Sequence, residues 1–283
     1  MIFKKQLLLL ILMPAFIGLG SCSSTPNQEN SANVVSNQQA SFAETVELSA
    51  LAEVLSDYVD EQGLVDYKAL QKERQQLDTF NQSLQDTELS TYGSWSDAEK
   101  IAFLVNAYNS LTLKAIINES PIKASIKDIL GVWRLNTHPI LQDKKTLDNI
   151  EHDLLRANFN EPRIHAALVC AAISCPYLRR EPYTGEDLDA QLDDQVEIFL
   201  SRPEAFEIDR ENNQVRLSAI FKWFGKDWIP SFGTDEGFAG NDNERAVLNF
   251  ISGYLEEEDR TYLQAGNYKV TYIDYDWSLN IQK

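Results

Sequence analysis

Ser96-Asp-Ala-Glu99-Lys-Ile-Ala-Phe-Leu-Val-Asn106-Ala-Tyr-Asn109-Ser-Leu-Thr-Leu-Lys-Ala-Ile-Ile117 is the stretch on which the fold turns. Its first four residues have the Ser-x-x-Glu form of a capping box, in which hydroxyl and carboxylate satisfy the free amides of a helix start reciprocally. The apolar run behind it predicts a central helix over 98–117. Asn106 and Asn109 are three apart and share a face with Phe103 and Leu113, so two amides stand beside an apolar stripe. They are either hydrogen-bond forks aimed at a ligand or braces for a neighbouring loop, and bracing is the commoner use of a buried amide. Tyr108 reads as core.

On the amino-terminal side, Val46, Ala50, Leu51, Val54, Leu55 and Tyr58 recur at helical spacing until Gly63. Val65-Asp-Tyr67 is then a short extended link into a second helix carrying Leu70, Leu77, Phe80 and Leu84. On the other side the pattern predicts helices over 147–156, with Thr146 as cap, over 187–200, and over 243–255. Phe206-Glu-Ile-Asp and Val215-Arg-Leu217 alternate about a polar Arg-Glu-Asn-Asn turn, which is a hairpin, and Tyr268, Val270 and Tyr272 alternate near the end. Helices outnumber strands and do not alternate with them. The expected fold is therefore α+β: a helix-rich single domain over 44–283 with a small antiparallel β element.

The first 43 residues have another character. Lys4 and Lys5 precede an apolar stretch, 7–19, too short to span a bilayer, and Leu19-Gly-Ser-Cys22 follows. This resembles a lipoprotein signal peptide, 1–21, with Cys22 as the lipidated amino terminus of the mature chain. Ser23 in place of Asp favours the outer membrane under the enteric sorting rule. Residues 23–41 are Ser, Asn, Gln, Thr, Pro and Ala apart from Glu29 and one Val pair, so 22–43 reads as the lipidated Cys and a flexible tether. About 19 such residues span roughly 25 Å, so the domain is expected to float just off the membrane, facing the periplasm and touching lipid through its anchor only. The chain's formal charge of −18 opposes nucleic-acid binding.

The residues with chemical potential crowd between 95 and 183. His138, His152 and His165, the chain's three His, fall in one 28-residue window, yet no two have a short ligand spacing, so neither a metal nor another cofactor is implied. Arg163-Ile-His-Ala-Ala-Leu-Val-Cys170-Ala-Ala-Ile-Ser-Cys175-Pro176 is an apolar run ending in a turn. His165 and Cys170 cannot pair locally on either a strand or a helix. The turn could bring Cys170 and Cys175 to bonding distance, and both a bridge and two free thiols remain open. The five Trp, with many Tyr and Phe, suit an aromatic groove or a core.

Asn106-Ala-Tyr-Asn109, Thr146-Leu-Asp-Asn-Ile-Glu151-His152-Asp-Leu-Leu-Arg156, Arg163-Ile-His165 through Cys170 to Cys175-Pro176, and Tyr275-Asp-Trp-Ser-Leu-Asn280 together resemble the DUF547 family, over roughly residues 50–280. The family usually has an aromatic where Leu104 stands. The resemblance implies that Asn106, Asn109, Glu151, His152, Arg163, His165, Cys170 and Cys175 are motif positions, and it implies no reaction. Taken as candidate ligand-binding residues, they suit a pocket for a small peptide or thiol compound such as glutathione. The alternatives are a Cys/His-dependent hydrolase or acyl or thiol transferase, and a structural partner in an envelope complex.

Overall fold

A computed structural model describes residues 40–283. The expected signal peptide, Cys22 and all but the end of the tether lie outside the described residues. From there the chain forms α1 Phe42–Thr45, α2 Leu48–Tyr58, α3 Tyr67–Lys72, α4 Gln75–Asp86, α5 Leu89–Ser94 and α6 Asp97–Ile117. Then come β1 His138–Ile140, β2 Asp143–Lys145, a π-helix at Asn149–Arg156, α7 Ile164–Ala167, α8 Leu188–Leu200, β3 Phe206–Asp209 and β4 Gln214–Leu217. The chain closes with α9 Ala219–Phe224, a 3₁₀ turn Gly225–Trp228, α10 Ile229–Phe232, α11 Asp242–Ser252, α12 Glu257–Ala265 and β5 Lys269–Tyr272. The fold is helix-rich α+β.

α6 is the axis. Its capping box forms as expected: the Ser96 amide donates to Glu99 Oε2 at 2.9 Å and the Glu99 amide to Ser96 Oγ at 3.2 Å. Ile101 through Leu113 are all buried, so the helix is enclosed on every side rather than along one stripe. Glu99 Oε1 also accepts the Phe42 amide at 3.2 Å, and the Phe42 ring inserts among Trp95 and Phe103. Helical structure is thus already present at Phe42–Thr45, where one aromatic plug ties the segment to α6.

The single helix expected after Tyr67 is two, α3 and α4. Val65 bridges to Ile281, and the Tyr67 hydroxyl donates to Asn280 Oδ1 at 2.7 Å, so the carboxy-terminal motif returns to the start of the domain. Gly63 sits here with φ +66°, and a Cβ would lie 2.6 Å from the Leu178 amide nitrogen. Only glycine suits that close approach.

β3 and β4 pair antiparallel as the alternation predicts, Phe206 facing Leu217, while β5 joins β4 in parallel to complete a three-stranded sheet. The β1–β2 hairpin was not expected. Its turn residues Leu141 and Gln142 both have left-handed φ, a geometry that Asn-Gly usually announces, and their amides donate to Leu84 and Gln85 carbonyls at the end of α4. One apolar core surrounds α6; a second is built from α8, β4, α9, α11 and Trp228.

Candidate functional site

A cavity of about 650 Å³ opens where the two cores meet. Its polar side comes from the π-helix. Thr146 caps the turn through Asn149: the Thr146 amide and hydroxyl donate to Asn149 Oδ1 at 3.1 and 3.0 Å, and the Asn149 amide returns a bond to Thr146 Oγ1 at 3.1 Å. The wide winding of such a turn is frequent at functional sites, and here it carries Glu151, His152 and Arg156.

Arg156 organises the region. Its Nη1 donates to His152 Nδ1 at 2.6 Å, which leaves the His152 proton on Nε2. Its Nε and Nη2 grip the Asp227 carboxylate at 2.6 and 3.0 Å, and Asp227 Oδ2 also accepts from His165 Nε2 at 2.9 Å. Burial lowers the His165 pKa, with Asp227 only partly opposing it, so the ring is neutral and stacks on Phe224 at 4.4 Å. Burial alone would raise the Asp227 carboxyl, but the bonds from His165 and Arg156 outweigh it and hold the group far below the usual range. His165, Asp227, Arg156 and His152 thus form one continuous chain of hydrogen bonds.

Glu151 stands outside that chain. It is 9% exposed and lines the cavity. Among the described residues no Lys or Arg lies within ion-pair distance of it; the neutral His152 is nearest, 3.9 Å away. Burial pushes its carboxyl up to about 7, with Arg156 and the neighbouring Tyr108 hydroxyl pulling down and Asp148 and Asp227 adding to the rise. Such a carboxyl exchanges its proton at neutral pH.

The lining also holds the two cysteines, their sulfurs at disulfide distance. The Tyr275 hydroxyl lies 3.2 Å from both, and the Cys170 amide donates to Cys175 Sγ at 3.0 Å. Neither His152 nor His165 is a hydrogen-bond partner of either sulfur. Residues 168–176 are irregular backbone rather than one buried element. Arg202 fixes their turn through the carbonyls of Cys175 and Ile173, and Ile173 donates to Ser278 in the carboxy-terminal motif. Trp133, Trp223, Tyr275 and Trp277 pack ring against ring along the mouth, and Leu130 and Leu135 are exposed at its lip.

Five of the eight expected residues, Glu151, His152, His165, Cys170 and Cys175, line this cavity. The other three do not. Asn106 clamps Tyr183 through both its amide and carbonyl, at 2.8 and 2.9 Å. Asn109 does the same to Ala167 and Val169, at 3.0 and 2.9 Å. Both forks are engaged by backbone, and Asn109 braces the segment that carries His165 and Cys170. Arg163 is held by Glu161, Asp189 and Asp193, away from the cavity. His138 lies in β1 and is not part of the lining, so the His window is no cluster in space. Tyr108 is buried, as expected of core, yet it faces the cavity beside Glu151.

Asp227 and Phe224 were not anticipated, since no local pattern marks them; Trp223 lines the cavity, one of the two uses the sequence offered for the five Trp. Tyr275 and Trp277 were visible as motif residues, and their alternation on either side of Asp276 was the available signal. A protein-family model described as a protein of unknown function, DUF547, matches residues 92–200. The chain contains a DUF547 domain. The DUF547 match takes in the Asn, Glu-His and Cys motifs, whereas Trp223, Phe224, Tyr275 and Trp277 complete the cavity from outside the matched segment. No curated protein and no solved structure matches the chain.

Proposed function

We propose that this chain is a lipid-tethered envelope domain that binds a small solute, a short peptide or a thiol compound such as glutathione, in the cavity between its two cores. The observation that carries the reading is Glu151: a buried carboxyl with no Lys or Arg partner among the described residues, facing a space of about 650 Å³ walled by aromatic rings. A cavity of that size suits a ligand of modest length, with a few polar groups fixing its orientation. Apolar walls supply contact area, and the Cys170–Cys175 pair offers sulfur contacts to a ligand thiol. The Cys/His enzyme alternative is the weaker reading, since no imidazole reaches a sulfur and the imidazoles of His152 and His165 are already engaged by Arg156 and Asp227.

The test is titration of the protein with glutathione and with short peptides, followed by calorimetry and by the fluorescence of the cavity tryptophans. Saturable binding that Trp277→Ala weakens supports the reading. Absence of binding by every probe overturns it. The tether is tested separately: fatty-acid label should enter the wild type and not Cys22→Ser, and an unlabelled wild type would remove the anchor from the proposal.

A further inference from the structure

Of the two carboxylates that line the cavity, Asp148 and Glu151, only Asp148 has a cationic partner among the described residues. Asp227 holds Arg156 and His165, and Asp148 holds Arg134 at 2.8 Å. Among the described residues Glu151 has only Tyr108 and the edge of neutral His152 beside it as possible partners. A buried carboxylate without a cation is an expensive arrangement in an isolated fold, and it is relieved when a ligand brings the missing charge. The walls suit that charge as well. Aromatic faces attract organic cations, and one already does so here, with Lys127 Nζ 5.0 Å from the centre of the Trp277 ring. The formal charge of −18 draws cations toward the molecule as a whole.

We propose that the cavity takes the free amino end of a short peptide, its ammonium group against the Glu151 carboxylate and within the walls formed by Trp133, Trp223, Tyr275 and Trp277. The inference rests on the cavity being the binding site and adds which end of the ligand enters it. Lys127, at the mouth, has no carboxylate partner among the described residues and is placed to meet the ligand's carboxylate. A single carboxylate does not make a metal cage, and among the described residues no three His, Cys, Asp or Glu side chains converge.

Protons report the contact. The groups facing Glu151 are Tyr108 from α6, Asp148, His152 and Arg156 from the π-helix, Asp227 from the 3₁₀ turn and Tyr275 from the last segment. Burial first, then Arg156, lower the His152 pKa, so that ring stays neutral at pH 7. With the free Glu151 carboxyl titrating at about 7, an ammonium that demands the ionised form expels about half a proton per bound ligand at pH 7, and more at pH 6.

The probes are glycyl-leucine, its N-acetyl form and its carboxy-terminal amide, titrated into the whole protein by calorimetry in buffers of different ionisation enthalpy. The expected result is binding of glycyl-leucine with proton release, at least tenfold weaker binding of the N-acetyl form, and a similar loss in Glu151→Gln. The amide should lose less. Equal binding of the N-acetyl form, or binding without proton release, overturns the inference and leaves the cavity's binding role standing. If glutathione, glycyl-leucine and its blocked forms all fail to bind, both readings fall together.

Discussion

Replacing Asp227 by alanine removes the shared acceptor of the polar chain behind the cavity. Arg156 loses bonds of 2.6 and 3.0 Å and His165 one of 2.9 Å. The Arg156 and His165 side chains are 15% and 3% exposed, so water replaces little of what is lost. Removing one partner of a buried pair costs about 3–5 kcal/mol when burial is complete; Asp227, at 20% exposure, belongs near the lower end, about 3 kcal/mol. For a domain of this size that corresponds to a fall in melting temperature of about 6–12 °C. The effect depends on pH with a definite sign. The Asp227 carboxyl is depressed in the folded state, so its contribution is complete above the unfolded value near 3.9 and is lost as pH falls through the folded value. Thermal melts at pH 7 and pH 3 should therefore show a large gap between wild type and Asp227→Ala at the higher pH and a smaller one at the lower. A double change, Asp227→Ala with Arg156→Met, should cost less than the two single changes added. A loss below about 1 kcal/mol at pH 7, or strict additivity, would refute the reasoning.

Glu151→Gln should stabilise the protein at pH 8 by about 1–3 kcal/mol, because a carboxyl raised to about 7 contributes stability present below the unfolded value and lost as pH rises through the folded one; urea unfolding at pH 5 and pH 8 reads the crossover. Asn109→Ala strands the Ala167 carbonyl and the Val169 amide and should cost about 1–3 kcal/mol, while any ligand affinity measured in the surviving fold stays within a few-fold of wild type. Gly63→Ala forces a Cβ against Leu178 at a left-handed φ and should cost at least about 1 kcal/mol by the same unfolding assay, without altering the cavity.

The long helix, its capping box and the β3–β4 hairpin were legible because each is announced by local chemistry: reciprocal Ser96 and Glu99, and strict alternation about a polar turn. The β1–β2 hairpin was not, because Leu141 and Gln142 adopt left-handed backbone only under the hold of α4. The candidate site divides in the same way. Glu151, His152, His165 and the two Cys were found as motif residues, and so were Asn106, Asn109 and Arg163. Nothing in a sequence separates an amide that meets a ligand from one that meets a backbone 60 residues away. Asp227 was missed for the converse reason, since its partners Arg156 and His165 are distant in the chain and only folding supplies the ion pair. Tyr108 could be read as buried but not as facing a cavity, since burial on every side of α6 erases the periodic signal that marks one face.

The most direct test of the central claim is the titration of the Glu151 carboxyl itself, followed by carbon-13 chemical shift in the free protein and again with saturating glycyl-leucine. The account predicts a free midpoint close to 7 that falls by more than one pH unit when the peptide is bound, because burial destabilises the lone carboxylate and the ligand's ammonium supplies its partner. A midpoint near the ordinary 4.5, unmoved by the peptide, would contradict it.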